Sequence, residues 1–293
     1  MKSALVVVSH YNAWPTHHLI ALLDQMAQVP SGYPFRCRVV VNQAEAKPLE
    51  LPPRLADVEV LYRENTGYNI GAWDQGWREG PPADYYLFLQ EECQILQPDW
   101  LKVFVDSLAD PRVGLVGESL FYSGYSWRRA DYYYSHIAIP RGPDGGGKVR
   151  IMDAKREVLA KRGIPHGKKV EHLQSLIIAS RRDVLEAIDG FLIERSYAYA
   201  IGAEFAISKQ VEVLGLRVRQ VGLKPFRYIV HPQWQHLAVG IRPLLFRWVE
   251  PFLPIRVGGY FHSYPRWHRR VLSRFKSYLL ANLTSRSRPT IKS

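Results

Sequence analysis

Cysteine is nearly absent from this chain of 293 residues, which holds only Cys37 and Cys93. Two thiols make neither a disulfide framework nor a four-cysteine zinc site, and they suit a reducing compartment. Long apolar runs are also missing. A helix crossing a bilayer needs about 18 or more uninterrupted apolar residues. The best candidate, Pro243 to Phe261, is broken by Arg247, Glu250, Arg256 and three prolines. The opening run Ala4 to Val8 is too short for a signal-peptide core and meets Ser9-His10 at once, so the expected location is cytoplasmic. No internal repeat is visible. Acidic residues are scarce at one end. From Arg242 to Ser293 eleven Lys/Arg stand against the single acid Glu250, a charge of +10. The first 241 residues hold 28 basic and 26 acidic residues, close to neutral. What is plentiful is apolar and aromatic content, 47% and 12%, which excludes a disordered or collagen-like chain.

The first 120 residues alternate strand and helix patterns. Leu5 to Val8, Arg38 to Val41, Val58 to Tyr62, Tyr85 to Leu89 and Val113 to Val116 read as strands. Helices are expected after Pro15-Thr16, over Ile70 to Arg78, and from Trp100 to Leu108 behind a Pro98-Asp99 cap. Ser123 to Gly147, with its tyrosines and glycines, reads as a mobile excursion. Beyond it come a strand over Leu176 to Ala179, helices over Arg182 to Ile188 and Tyr199 to Leu214, and a strand over Leu216 to Val221. Such alternation predicts an α/β fold with a mostly parallel, doubly wound sheet covered by flanking helices. Ligands of such sheets sit beyond the carboxyl ends of the strands. That places Ser9 to Asn12, Asn42, Arg63 to Gly71 and Gln90 to Glu92 around one crevice.

Three stretches there could carry chemistry. Asn65, Gly67, Asn69 and Gly71 form a turn between a strand and a helix, suited to presenting N–H groups to an anion. The spacing lacks the third glycine of the dinucleotide fingerprint. Gln90-Glu91-Glu92 ends a hydrophobic strand, where an acid could hold a divalent ion bridging phosphates. Glu204 opens a helix beyond Asp189-Gly190-Phe191 and could serve as a general base.

In this order the motifs resemble family 2 glycosyltransferases of the GT-A fold. They look closest to the bacterial rhamnosyltransferase-like and rhamnan-synthesis-like enzymes of O-antigen, lipopolysaccharide and capsule assembly. The Asn-x-Gly turn and the acidic pair ahead of Pro98-Asp99-Trp100-Leu101 carry the likeness, over residues 4 to 222. It implies an inverting transferase that moves a hexose or deoxyhexose from a nucleotide-diphosphate sugar to a hydroxyl of a glycan, in surface polysaccharide assembly. By resemblance Ser9, His10 and Asn42 line the base and ribose. Asn65, Gly67, Asn69, Gly71 and Glu91 complete the nucleotide-sugar site. The family's Asp-x-Asp falls on Gln90 and Glu92, which makes Glu92 the ligand of Mn²⁺ or Mg²⁺, with His231 or His236 completing the shell. Glu204 is the base, with Asp189 and Glu194 in reserve.

Residues 1–241 are thus expected to form the transferase domain and 242–293 a basic, aromatic, helical appendage. Arg269, Arg270 and Lys276 flank an apolar stripe of Leu272, Phe275, Leu279 and Leu280, which suits an anionic membrane surface. The expected partners are a nucleotide-sugar donor, a glycan or lipid-linked glycan acceptor and the inner face of the cytoplasmic membrane, with no nucleic acid. Two rival readings exist. Gly142 to Lys148 has phosphate-loop spacing, but Val149 replaces the Mg²⁺-binding hydroxyl. The basic, aromatic tail could also bind nucleic acid.

Overall fold

The computed structural model describes residues 2–121, 125–141, 146–174 and 177–234. The chain runs β1 (Ala4–Tyr11), α1 (His17–Gln28), β2 (Phe35–Gln43), β3 (Glu59–Glu64), α2 (Tyr68–Arg78), β4 (Tyr85–Gln90), β5 (Gln94–Ile95), α3 (Lys102–Leu108) and β6 (Val113–Gly117). It continues through β7 (Leu120–Phe121), α4 (Trp127–Tyr134), β8 (Ala138–Pro140), β9 (Lys148–Arg150), α5 (Ile151–Lys161) and β10 (His172–Leu173). Last come β11 (Ile177–Arg181), α6 (Arg182–Ala187), α7 (Tyr197–Val213), β12 (Arg217–Gln220) and β13 (Ile229–Val230).

The central sheet has seven strands in the order β12-β6-β11-β4-β1-β2-β3. β1 pairs in parallel with β2 and β4, β2 with β3, and β6 with β12. β11 is antiparallel to both its neighbours, β4 and β6, so every other strand points one way. This is a mixed α/β fold with a mainly parallel central sheet and flanking helices. Its carboxyl edge gathers Tyr11, Gln43, Glu64, Gln90 and Gly117.

Side-chain alternation along β1 explains the layers. Val6 and Val8 pack toward Leu19, Leu22, Leu23 and Met26 of α1 and Phe104 of α3. Leu5 and Val7 pack on the opposite face, toward Ile70 and Trp73 of α2, Leu185 of α6 and Ile207 of α7. The α1 residues recur at helical spacing, which makes one apolar stripe. A smaller cluster joins α4, α5 and α7 through Tyr134, Met152, Val158 and Phe205.

Several boundaries differ from expectation. β1 extends through Ser9 and His10 to Tyr11, because its polar end stays paired with β2 and, through Ser9, with β4. α3 starts at Lys102, since Asp99 takes a left-handed φ of 60° and the N–H groups of Asp99 and Leu101 turn to the carbonyls of Pro30 and Ser31. Helix α5, absent from the sequence reading, packs on α7. Part of the expected excursion is α4 and β8, and β9 follows it directly. Gly142 to Gly145, Leu176, His236 and the segment 242–293 lie outside the described residues. Among the described residues no helix is long and apolar enough to cross a membrane.

Candidate active site

The carboxyl ends of β1 to β4 are tied by one polar network. Ser9 Oγ lies 3.0 Å from Asn69 Oδ1 in the first turn of α2 and 3.4 Å from the Leu89 carbonyl. Asn42, 2% exposed, donates from Nδ2 to the Tyr68 carbonyl at 3.1 Å and accepts from Arg63 Nη1 at 2.6 Å. Arg63 also donates to the Thr66 carbonyl at 2.8 Å. Its guanidinium is pulled below its ordinary value by burial, with Asp74 and Glu64 opposing. The Asn42 carbonyl accepts the Asn12 N–H at 3.2 Å.

The glycines of the turn have steric roles. Gly67 adopts φ 77° ahead of α2, in the left-handed region that favours glycine. A Cβ on Gly71 would stand 2.1 Å from the Thr66 carbonyl and 2.7 Å from Arg63 Nη1. The turn therefore closes on itself around Arg63. Asn65 is half-buried between β3 and α2.

The three residues Gln90-Glu91-Glu92 diverge. Glu91 turns inward: Oε2 sits 2.5 Å from His10 Nδ1, and Oε1 accepts the Tyr11 N–H at 3.2 Å. A proton on Nδ1 in that contact leaves His10 Nε2 as a buried acceptor without a hydrogen-bond partner. Glu92 is half-buried, and its Oε2 stands 3.5 Å from His231 Nε2. Burial works to raise the Glu92 carboxyl, but His231 and its own backbone N–H outweigh it, and the net shift is downward. His231 Nε2 is buried and makes no hydrogen bond, while Nδ1 accepts the Gln233 N–H at 3.2 Å.

His231 reaches Glu92 because β13 pairs with β5 (Val230 opposite Gln94). The same segment is held by Glu118, at the end of β6, which sequence reading missed. Its carboxylate accepts the N–H groups of Arg227, Tyr228 and Ile229 at 2.8, 2.9 and 2.8 Å. Burial pushes Glu118 up to about 7 against the pull of those donors. Arg63 and Asn12 fall within the stretches expected at the crevice, but carry no assigned role there, because nothing in their local sequence separates them from surface polar residues.

Glu204 is not at a helix start. α7 begins at Tyr197 behind a Ser196 cap, because the Ser196 side chain accepts the Tyr199 N–H. Glu204 therefore lies two turns in, on the face that carries Ser208, whose hydroxyl accepts the Leu173 N–H at 3.0 Å. Its electrostatic neighbour is the buried Lys155. The two reserves are engaged elsewhere. Asp189 is exposed and pairs with Arg78 at 3.4 Å, while Glu194 is buried against Lys161 at 3.0 Å and Arg162 at 3.5 Å. The structure thus gathers Ser9, His10, Asn42, Asn65, Gly67, Asn69, Gly71, Glu91, Glu92 and His231 along one edge. Glu204 stands on α7, beside Lys155.

No family model matches the sequence, and no curated protein matches it significantly. Solved structures do align. A mannosyltransferase from Pyrobaculum calidifontis, in complex with GDP-Man and Mn²⁺, aligns at TM-score 0.47 and 15% identity, over 75% of this chain and 54% of that one. S. aureus TarS 1-349 aligns at 0.46 and 15%, over 80% and 61%. Glucosyl-3-phosphoglycerate synthase from Mycobacterium tuberculosis, in complex with Mn²⁺, UDP and glucosyl-3-phosphoglycerate, aligns at 0.46 and 14%, over 84% and 79%. This chain therefore spans less than two thirds of the first two. Similarity of this degree assigns neither substrate nor residue roles.

Proposed function

We propose that the protein is a glycosyltransferase of the GT-A type, moving a sugar from a nucleotide-diphosphate sugar to a hydroxyl of a glycan. The observation that carries the reading is the carboxyl edge of the sheet. It holds two buried imidazoles, His10 with an unsatisfied Nε2 and Glu91 at its Nδ1, and His231 with its Nε2 3.5 Å from Glu92, within a hub of asparagines and one arginine. Orphaned buried polar atoms are costly, and a polar ligand would satisfy them. A crevice beyond the strand ends is where such sheets bind nucleotides.

In this reading Asn42 and the orphan Nε2 of His10 face the base and ribose. Ser9 and Asn69 hold the first turn of α2 against β1, and Arg63 stiffens the turn between β3 and α2. Glu92 presents a hard oxygen donor at the mouth, which fits Mn²⁺ or Mg²⁺. His231 fits less directly. Its Nδ1 accepts from Gln233, which leaves the ring proton on Nε2, so ligation would require that proton to leave. As arranged, His231 directs an N–H toward Glu92 and steadies its charge. A divalent ion bound there would offset charge on the departing diphosphate. Glu204 is the proposed base, taking the proton of the acceptor hydroxyl as that oxygen attacks the anomeric carbon, and the product is expected to be inverted.

The sugar is a hexose or deoxyhexose, and the product enters a bacterial surface polysaccharide. The +10 segment 242–293 binds the anionic inner face of the cytoplasmic membrane, where a lipid-linked acceptor would lie. A screen of UDP-, GDP- and dTDP-sugars for binding and slow hydrolysis, with and without Mn²⁺, tests the donor reading. Flotation with phosphatidylglycerol vesicles, comparing the full chain with one ending near residue 241, tests the tail.

A further inference from the structure

Four successive backbone N–H groups converge on one residue. Those of Arg227, Tyr228 and Ile229 donate to the Glu118 carboxylate, and that of Phe226 donates to the Glu118 carbonyl at 3.2 Å. Glu118 is fully buried, and both its carboxylate oxygens are engaged. Its own N–H donates to the Ile177 carbonyl at 3.4 Å, so it is anchored to β11 in turn. Consecutive N–H groups around a reversed residue form a concavity that binds anions. Here the anion is the protein's own side chain. The reversed residue is Phe226, at φ 52°, with its ring 2% exposed in the core. A bulky residue held in the left-handed region is strained, and such strain persists only where the surroundings over-determine it.

The segment so gripped is also attached to β5 and the residue after it. The Leu96 N–H donates to the Tyr228 carbonyl at 2.8 Å, and β13 pairs with β5. Between these two holds the chain has little freedom, and the next residue is His231. Glu118 directly follows β6, two strands from β4 across β11, yet it acts on the residue that faces Glu92.

We propose that Glu118, seated in the N–H concavity of residues 226–229, is the positioning residue that sets the His231 imidazole against Glu92. It touches no reacting atom itself. Its consequence for turnover rests on the function proposed above, but the placement of His231 can be read without any nucleotide sugar.

The test is modification of the full-length protein by diethyl pyrocarbonate, followed residue by residue in the mass spectrum, together with amide exchange over 226–231. His10 and His172, both buried, serve as internal references. In Glu118→Gln, which keeps the shape but places an amide NH₂ where an acceptor stood, His231 should be modified at least tenfold faster. Exchange over 226–231 should rise with it, and His10, His172 and strands β1 to β4 should stay at wild-type rates. Glu118→Asp, which keeps the carboxylate but is one methylene shorter, should lie between, and it serves as the measured variant if Glu118→Gln does not fold. An unchanged His231 rate overturns the proposal. So does a parallel rise at all three histidines, which would make Glu118 a general stability residue. Should the local effect occur while no nucleotide sugar binds, the positioning role stands and the donor reading fails.

Discussion

His10 Nδ1 and Glu91 Oε2 lie 2.5 Å apart, with side-chain exposures of 1% and 4%, and join the end of β1 to the loop after β4. The contact divides two adjacent acids between two roles. Glu91 is an interior partner, and Glu92 is the one presented at the mouth. Removing one member of a buried, hydrogen-bonded pair leaves an uncompensated polar group, at a cost of about 3 kcal/mol. Glu91→Gln should therefore lower the urea midpoint markedly. Glu92→Gln should leave the midpoint nearly unchanged while turnover falls a hundredfold or more. Equal losses of stability in the two would contradict this division.

Asn42 accepts from the Arg63 guanidinium and donates to the Tyr68 carbonyl, which couples β2 to the turn before α2. Hydrogen bonds to a charged group contribute about 1.5 to 3 kcal/mol. Asn42→Ala should thus destabilise by about 2 kcal/mol in denaturant titration and weaken nucleotide binding. Arg63→Met should show most of the same loss, and the double variant less than the sum, because the two share one network.

Lys155 is buried, and burial pulls its ammonium down to about 7, with Glu204 opposing and Lys209 reinforcing. An unfolded lysine titrates near 10.5. Between these values the unfolded chain binds a proton that the folded chain does not, so stability rises with pH. The useful window is pH 7 to about 8.5, in which Glu118, pushed up to about 7 by burial, opposes the climb only near the lower end. Above it the thiols of Cys37, pushed up to about 12 by burial, and Cys93, raised likewise, act in the opposite sense. Stability should climb by about 1 to 2 kcal/mol across that window. Lys155→Met should flatten the climb, measured by denaturant midpoints at each pH.

Glu204→Gln separates two roles of the same carboxylate. A base acts on the acceptor proton, so turnover should fall about a hundredfold or more with donor affinity kept. A residue that only balances Lys155 would change the pH profile of stability and leave turnover alone.

Much of this fold is legible in the sequence because buried β-branched runs such as Leu5 to Val8 and Arg38 to Val41 have few other structures open to them. The limits of the strands are less legible. Ser9 and His10 read as a loop by polarity, yet pairing with β2 carries the strand through them. Glu204 reads as a helix start because acids favour first turns, but the Ser196 cap lies two turns upstream. Glu118 gives no local signal at all. Its partners are more than a hundred residues away, and a lone acid after a strand looks like a surface residue until the chain returns to surround it.

The most direct measurement is calorimetric titration of the full-length protein with UDP-, GDP- and dTDP-sugars, with and without Mn²⁺, beside the Asn42→Ala and Glu92→Gln variants. The expected result is binding of sugars on one nucleotide, strengthened by Mn²⁺, weakened in Asn42→Ala, and with its Mn²⁺ dependence lost in Glu92→Gln. No binding by any of the three nucleotides, or equal binding by wild type and both variants, would contradict a nucleotide-sugar site at this edge of the sheet.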